Sequence, residues 1–397
     1  MVFFEKYNQY LAALVILLIG VFSFLNFPAE SAYHKGADEG NYYRQAKLLS
    51  THGWAGFNNI ANDFINTPNL HDTPHPLRLG STLVSALFVH IHDAYSTLSF
   101  LSLFNFLLLL MGTYLFVKKY WGGTLALFTL ILLAVSPIEL ALSRRALMDS
   151  FAMTTAAFSF FAFMQMIDKE GLRNSALFVL SFMLALLVKE TAILLLPFYT
   201  LVLIYLKSSK KIHYEWLVLF LCVSLPVLLV ALIDLSIYGL DRVITILTII
   251  KQPSPYSALW GQGPWYRYLA DFLILSPYAF LLAVAYLGTV IVSKQTDMRV
   301  LLIAMLTIYL LFAYSFLSKN IRYCLLLDVP IRFFAASMLV LIFHRFSQFR
   351  WLPFLGLGLL IFLDLYQFHF YFITNTIYDT ISYNLLMANH MICCMRS

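Results

Sequence analysis

Residues 174–206 read NSALFVLSFMLALLVKETAILLLPFYTLVLIYL, and this stretch decides the class of fold. It is mostly apolar, and its only charged residues, Lys189 and Glu190, lie in the break Lys189-Glu190-Thr191 near its middle. Two apolar runs joined by a short polar break are typical of two neighbouring membrane-spanning helices. The rest of the chain continues the pattern, with 61% hydrophobic residues, 12% charged residues and a mean hydropathy of +0.80. Soluble domains are about half apolar and about a quarter charged. The composition therefore excludes a soluble globular enzyme, a single-span receptor and a disordered scaffold.

The apolar runs predict an all-α polytopic membrane protein with about eleven transmembrane helices, since helical runs rather than short alternations argue against a β-barrel. The first run has the length of a membrane span rather than of a signal peptide. Residues 78–94 could form a twelfth span or a helix at the membrane interface, and the alternation of basic loops favours the interfacial helix. We expect residues 1–397 to form a single transmembrane domain. The predicted spans are 9–27, 99–117, 122–137, 149–167, 174–188, 191–206, 215–237, 270–292, 299–317, 323–343 and 351–372.

The distribution of basic residues predicts the orientation. Compact basic loops such as Lys207 to Lys211 mark the cytoplasmic side, which places the N-terminus in the cytoplasm and the C-terminus outside. The long polar segments then share the outer face. They are 28–98, a first extracytoplasmic loop with amphipathic juxtamembrane helices, and 137–149, 238–269 and 318–328. The net charge of +6 implies no nucleic acid, and the four cysteines form no CxxC pair.

The first outer loop carries a pair of acids, Asp38 and Glu39, directly before an amphipathic helix predicted over 41–49. Asp38 is interpreted either as a helix cap or as a general base at the membrane surface. Further along, His71, Asp72 and His75 are either ordinary surface residues or part of a metal site, although they lack the helical spacing of typical ligands.

Basic residues beside apolar spans indicate an anionic ligand. Arg144 and Arg145 precede Asp149 at the mouth of a span, and they either bind a phosphate or form an Arg145–Asp149 pair at i,i+4. Lys189 either snorkels to the surface or joins the same site.

Two later segments also carry basic residues. Tyr266 and Arg267 belong to GPWYRY, which aromatic belts explain. Lys319 and Arg322 lie one helical turn apart beside Tyr323, with no acidic neighbour before Asp328, and this pattern favours an anionic partner.

Six segments together resemble the GT-C integral-membrane glycosyltransferases, specifically the dolichyl-phosphate-mannose:protein mannosyltransferase and bacterial aminoarabinose-transferase-like group. They are ADEGNYYRQAKLLSTHGW, the Pro-Leu of PHPL, SRRALMD, KET, GPWYRY and FSFLSKNIRYCLLLDVP. The resemblance covers most of the first 330 residues. It departs from the aminoarabinose-transferase branch at Pro74-His75-Pro76-Leu77, where that branch has a lysine before Pro-Pro-Leu.

The resemblance implies a sugar transfer from a polyprenyl-phosphate carrier to an acceptor glycan, lipid or protein outside the cytoplasm. It implies Asp38 as general base with Glu39 beside it, and Asp149 as the acid ending the second outer loop. Lys319 and Arg322 correspond to contacts with the carrier phosphate. The other substrate-binding candidates are Arg144, Arg145, Lys189, Tyr266, Arg267, Tyr323 and His75. No cofactor is firmly implied, and the expected location is a bacterial inner membrane.

Two alternatives stay open at this point. A flippase or transporter of an anionic lipid-linked sugar would also use basic residues, but it would need polar residues in both halves of the membrane. A catalytically silent subunit with the same fold would keep the architecture without the reaction.

Overall fold

The computed structural model describes residues 2–252, 263–293, 297–315, 319–345 and 351–389. Across these ranges every regular element is a helix and no strand occurs, which confirms the all-α class. Some predicted features lie outside the described residues. These are residues 253–262 of the predicted 238–269 loop, residues 316–318 of the FSFLSKNIRY segment, and Cys393 and Cys394.

The helices follow the predicted apolar runs closely. The longer ones are Val2–Leu25, Asp38–His52, Ala55–Asn66, Leu79–Ile91, Tyr95–Trp121, Gly123–Ala134, Asp149–Asp168, Leu172–Val188, Leu195–Ser208, Trp216–Tyr238, Leu240–Ile250, Pro277–Val292, Met298–Tyr314, Asp328–Arg345 and Leu352–Phe368. Shorter helical segments are Glu30–Ala32, Pro68–Leu70, Pro137–Ser143, Glu190–Leu194, Arg267–Leu275, Ile321–Leu327, His369–Thr374 and Ser382–Ala388.

Seven helices among the described residues are long and apolar enough to cross a membrane, and a bent pair makes up to eight. The chain is thus a multi-pass membrane protein, but the predicted number of eleven spans is not confirmed. One reason is that residues 122–137 and 270–292, predicted as single helices, contain breaks. Pro137 and Pro277 each begin a new helix, because proline lacks the amide hydrogen that would continue the preceding one.

The chain divides into two compact units. The first comprises Met1–Leu25, Phe106–Leu142 and Trp260–Ser397. Its core lies where Gly123–Ala134, Pro277–Val292 and Asp328–Arg345 pack together, and small residues such as Ala279, Ala335 and Ala336 allow close approach.

The second unit comprises Asn26–Asn105 and Ser143–Leu259. The predicted amphipathic helix of the first loop is present as Asp38–His52 and packs on Leu79–Ile91. With 13 residues, the latter helix is about 20 Å long, shorter than the hydrocarbon core of about 30 Å. Phe57, Ile60 and Phe64 of the next helix are buried in the same core. The first loop is therefore a folded helical layer rather than a flexible connection.

Candidate functional site

Asp38 is the first residue of the Asp38–His52 helix, and Ala37 occupies the N-cap position. The alternative that Asp38 is the cap residue is therefore wrong. The Asp38 side chain is partly exposed. Its negative charge acts on Tyr42, one turn further along the helix, and on Arg78. A carboxylate at the first turn is also favoured by the helix dipole.

Glu39, next to Asp38, is fully buried, and both of its carboxylate oxygens accept hydrogen bonds from Arg145. Arg145 donates from Nε to Oε1 at 2.8 Å and from Nη2 to Oε2 at 2.6 Å. The backbone amides of Ala146 and His34 donate to the same carboxylate at 3.1 and 2.8 Å. Bidentate pairs of this kind are strong and geometrically specific. Glu39 thus joins the first loop to the segment that follows Ser143.

The second acid of the predicted site, Asp149, is buried in an ion pair with Lys189. Lys189 Nζ donates to Oδ1 of Asp149 at 2.5 Å, and each residue is less than 10% exposed. Lys189 therefore does not snorkel to the surface. The i,i+4 helical pairing of Arg145 with Asp149 is also wrong, because the chain between Ser143 and Asp149 is not helical. The charged break that interrupts residues 174–206 is used to anchor Asp149.

A third ion pair, which the sequence did not predict, joins Arg78 to Glu190. Arg78 donates from Nε and Nη2 to the two oxygens of Glu190 at 2.8 and 2.6 Å, and from Nη1 to the Tyr42 hydroxyl at 2.7 Å. His75 Nε2 lies 3.0 Å from Oε2 of Glu190. Burial alone would lower the pKa of Arg78, but the charges of Glu190 and Asp38 raise it well above the usual value. Arg78 and Glu190 belong to segments that the sequence analysis singled out, PHPLR and KET, but their pairing could not be predicted without the fold.

Arg144 lies beside the Arg145–Glu39 ion pair and is partly buried. Burial and the neighbouring charge of Arg145 lower its pKa to about 10. Its Nη1 donates to the carbonyl of Asn26 at 3.1 Å. A guanidinium is a strong donor to phosphate oxygens, so Arg144 is a candidate for contact with an anionic group.

The predicted phosphate contacts Lys319 and Arg322 lie in the other compact unit. They are not on one helix, since Lys319 precedes the Ile321–Leu327 helix and Asn320 caps it. The spacing argument from a helical turn is therefore wrong, although both side chains are more than 90% buried. Burial and the charge of Arg267 lower the pKa of Lys319, whose Nζ lies 5.5 Å from the centre of the Tyr268 ring. The guanidinium of Arg322 lies 5.3 Å from the Tyr323 ring.

Tyr266 belongs to the segment for which the sequence predicts an aromatic belt. Its side chain is exposed, and so is that of Trp265, whose ring stacks on Phe312 at 5.3 Å. Arg267 begins the following helix. Arg267 lies close enough to Lys319 for its charge to act on that side chain, whereas Trp265 and Tyr266 are exposed.

The first unit also contains a buried charge cluster that the sequence analysis missed. Arg332 is 1% exposed and donates to Asp328 at 3.0 Å, to Ser136 at 3.0 Å and to Asp364. Ser276 donates to Asp364 as well. The available signal was an ionisable residue in the middle of an apolar run, which in membrane helices is costly and rarely incidental.

The proposed metal ligands do not come together. Within the described part of the chain, no group of three His, Cys, Asp or Glu side chains is placed to hold a metal ion. His71 instead packs its ring 5.5 Å from Phe64, and His75 faces Glu190. The second unit contains a partly exposed acid, Asp38, and three ion pairs that fix Arg78, Arg145 and Lys189.

The chain is similar to one protein family and to two solved structures of one membrane protein. Residues 76–233 match the family described as dolichyl-phosphate-mannose-protein mannosyltransferase. The fold is similar to that of ArnT from Cupriavidus metallidurans, a GT-C glycosyltransferase. The apo structure superimposes with a TM-score of 0.51 at 14% identity, and the structure bound to undecaprenyl phosphate with 0.55 at 15%. The predicted resemblance to GT-C glycosyltransferases is confirmed, and the fold is ArnT-like.

These similarities have defined extents. The alignments cover 83% of this chain and 59% and 60% of the two ArnT chains, so the chain spans about three fifths of their length. The family match begins at the Pro-Leu of PHPL and ends within the Trp216–Tyr238 helix, so Asp38 and Lys319 lie outside it. No curated protein sequence matches the chain.

Proposed function

We propose that this protein transfers a sugar from a polyprenyl-phosphate carrier to a hydroxyl or another nucleophile of an acceptor, with Asp38 as the general base. One observation carries the assignment of the base. Of the three acids predicted to be catalytic, Glu39 and Asp149 are buried in ion pairs with Arg145 and Lys189, whereas Asp38 is partly exposed. A base must be within hydrogen-bond reach of the proton that it removes.

The reaction follows from this arrangement. The Asp38 carboxylate takes the proton of the acceptor hydroxyl, whose oxygen then attacks the anomeric carbon of the sugar. The bond from that carbon to the carrier phosphate breaks, and the lipid phosphate leaves with the electron pair. A single displacement of this kind inverts the anomeric centre and needs no covalent enzyme intermediate.

The departing phosphate gains negative charge, so the site must supply fixed positive charge to stabilise it. Arg144 suits this role because its guanidinium is partly buried beside a second arginine, Arg145. Lys319, Arg322 and Arg267 form a second basic group in the other unit. We propose that these residues, together with Tyr266, Tyr323 and His75, contact the carrier or the sugar. Glu39 and Asp149 then act mainly by holding Arg145 and Lys189 in position.

The comparisons support the class of substrate. The family matched by residues 76–233 is named for a lipid-phosphate sugar donor, and one of the similar structures is ArnT bound to undecaprenyl phosphate. We propose that the donor site faces outside the cytoplasm of a bacterial inner membrane, as the basic loops indicate. Cysteines introduced as Lys210→Cys and Trp54→Cys, at exposed positions on the two predicted sides, should react with a membrane-impermeant maleimide from opposite faces. Labelling of both from one face would overturn this orientation.

The reaction itself is tested with the purified protein in lipid nanodiscs. A panel of undecaprenyl-phosphate sugars is incubated with the protein and a membrane extract as the acceptor source, and release of undecaprenyl phosphate is measured. Release that depends on the protein and on the acceptor extract supports the proposal. Carrier-dependent movement of intact lipid-linked sugar between leaflets, without phosphate release, would instead identify a flippase. Neither activity across the panel would favour a silent subunit.

A further inference from the structure

A cavity of about 290 Å³ lies within the second compact unit and is lined mostly by apolar side chains. One wall is a single face of the Trp216–Tyr238 helix, where Val227, Val230, Ala231 and Asp234 follow each other at helical spacing. Leu247 and Ile250 of the Leu240–Ile250 helix form another wall. Leu186 closes the side formed by the Leu172–Val188 helix. The cavity is therefore suited to an apolar chain or ring.

Asp234 is the polar feature that needs an explanation. It is 92% buried, in a helix that is long and apolar enough to cross the membrane, and it lines the cavity. Its Oδ1 atom is buried and has no hydrogen-bond partner among the described residues. A carboxylate in such surroundings is costly unless a partner satisfies it, and ionisable groups within membrane helices generally mark a site.

The other polar residues of the cavity do not provide that partner. Glu190 is itself an acid, and its charge is balanced by Arg78, which holds both of its oxygens. His75 is 94% buried and faces Glu190 with Nε2, and its Nδ1 has no hydrogen-bond partner in the described ranges. Arg78 holds Glu190, whereas Oδ1 of Asp234 has no partner among the described residues, so Asp234 is the acid of this cavity that a ligand can satisfy.

We propose that this cavity binds a cationic amphiphile, in which a primary ammonium group contacts Asp234 and an apolar chain occupies the space between Val227, Leu247 and Ile250. An ammonium satisfies the carboxylate by a charge-assisted hydrogen bond, while the apolar walls bury the chain. The cavity shares His75 with the proposed contacts to the carrier or the sugar, but its two acids, Asp234 and Glu190, would repel an anionic headgroup, so its proposed ligand is a cation. It does not depend on the glycosyltransferase reaction.

Native mass spectrometry of the intact protein in a neutral detergent tests this proposal. The protein is titrated separately with dodecylamine, dodecanol and dodecyl phosphate, which share an alkyl chain and differ in the headgroup. We expect one dodecylamine molecule to bind at least about tenfold more tightly than either of the others, which corresponds to one charge-assisted hydrogen bond. Equal binding of dodecanol would overturn the requirement for a cation. Preferred binding of dodecyl phosphate would overturn the site's proposed ligand class altogether.

Two variants locate the binding. Asp234→Asn keeps the shape and removes the charge, and we expect the preference for dodecylamine to disappear. Ala231→Phe fills the cavity while leaving Asp234 in place, and we expect it to weaken binding of the amine as well. The control is Asp241→Asn, the same change at an exposed acid of the neighbouring helix, which should bind dodecylamine like the wild type. Unchanged binding in both cavity variants would refute the assignment, and thermal unfolding of each variant verifies that it is folded.

Discussion

Replacing Asp38 by asparagine separates a catalytic role from a structural one. Asparagine has the same shape as aspartate but cannot accept a proton at neutral pH, so a general base is lost while the contacts of the side chain are largely kept. We expect the rate of sugar transfer to fall by about 10² to 10⁴, which corresponds to about 2.7–5.5 kcal/mol in the activation free energy.

The expected effect on stability is much smaller, for reasons that the structure supplies. Asp38 is the first residue of its helix, so loss of its negative charge removes a favourable interaction with the helix dipole of about 0.3–1 kcal/mol. Glu39 stays in the same turn with its ion pair to Arg145 intact. The free energy of unfolding should therefore change by about 1 kcal/mol or less, several-fold below the change in the activation free energy.

The assay measures the release of undecaprenyl phosphate under single-turnover conditions, beside thermal unfolding of the same preparation. Asp63→Asn is the matched control, because Asp63 is a partly exposed acid of the same loop whose nearest basic partner, Arg44, lies at 3.8 Å. This variant should transfer at the wild-type rate. A folded Asp38→Asn protein that also transfers at the wild-type rate would refute the assignment of Asp38 as the base.

Three further predictions concern the fixed charges. Lys319→Ala and Arg322→Ala should each weaken binding of undecaprenyl phosphate by about ten- to a hundredfold, because each removes a charged hydrogen bond worth about 1.5–3 kcal/mol. Native mass spectrometry measures this affinity, and unchanged affinity in both variants would contradict the proposed role of the two residues. Because burial and Arg267 lower the pKa of Lys319, its charge is present below that pKa and is lost as the pH rises through it. The affinity for the carrier should therefore decline with rising pH, and the decline should begin at a lower pH than an ordinary lysine would give. Lys319→Arg should abolish the decline, since arginine stays charged. If Lys319→Arg showed the same decline, a group other than Lys319 would be responsible. Lys189→Met and Asp149→Asn should each lower the free energy of unfolding by about 3–5 kcal/mol, because each leaves the buried charge of the other residue without its partner. The double variant should lose clearly less than the sum of the two single losses, and a loss equal to that sum would show that the two residues are not coupled.

Local sequence patterns predicted the helices well but not which charges meet. Apolar runs of helical length are a property of consecutive residues, so the membrane helices and the Asp38–His52 helix could be read from the chain. The pairing of Arg145 with Glu39 joins residues that are more than one hundred positions apart. An isolated sequence suggests the nearest acid, Asp149, because only short separations can be judged without the fold.

Charged residues inside the apolar runs were the other source of error. Arg332 and Asp364 occur within long hydrophobic segments, where hydropathy averages over them and predicts an ordinary span. The predicted spacing of Lys319 and Arg322 by one helical turn is wrong for a related reason, since a new helix begins between them at Ile321, with Asn320 as its cap. Where the polypeptide breaks a helix inside the membrane depends on partners elsewhere in the chain, and these partners were not visible in local sequence.

The breaks beside Ser136 and Ser276 have a consequence for biogenesis. The helix Gly123–Ala134 has 12 residues and is about 18 Å long, and it continues into Pro137–Ser143 at an angle of 61°. At the break, the Ser136 hydroxyl accepts a hydrogen bond from Arg332, nearly two hundred residues later. During synthesis the ribosome delivers the broken segment long before this arginine, so the break is exposed in the newly inserted chain without its final partner. The helix Val2–Leu25, which packs on Gly123–Ala134, is synthesised earlier and is available to contact the segment before the helix Asp328–Arg345 arrives. The buried hydrogen bond at this break is therefore complete only after the helix Asp328–Arg345 has been synthesised.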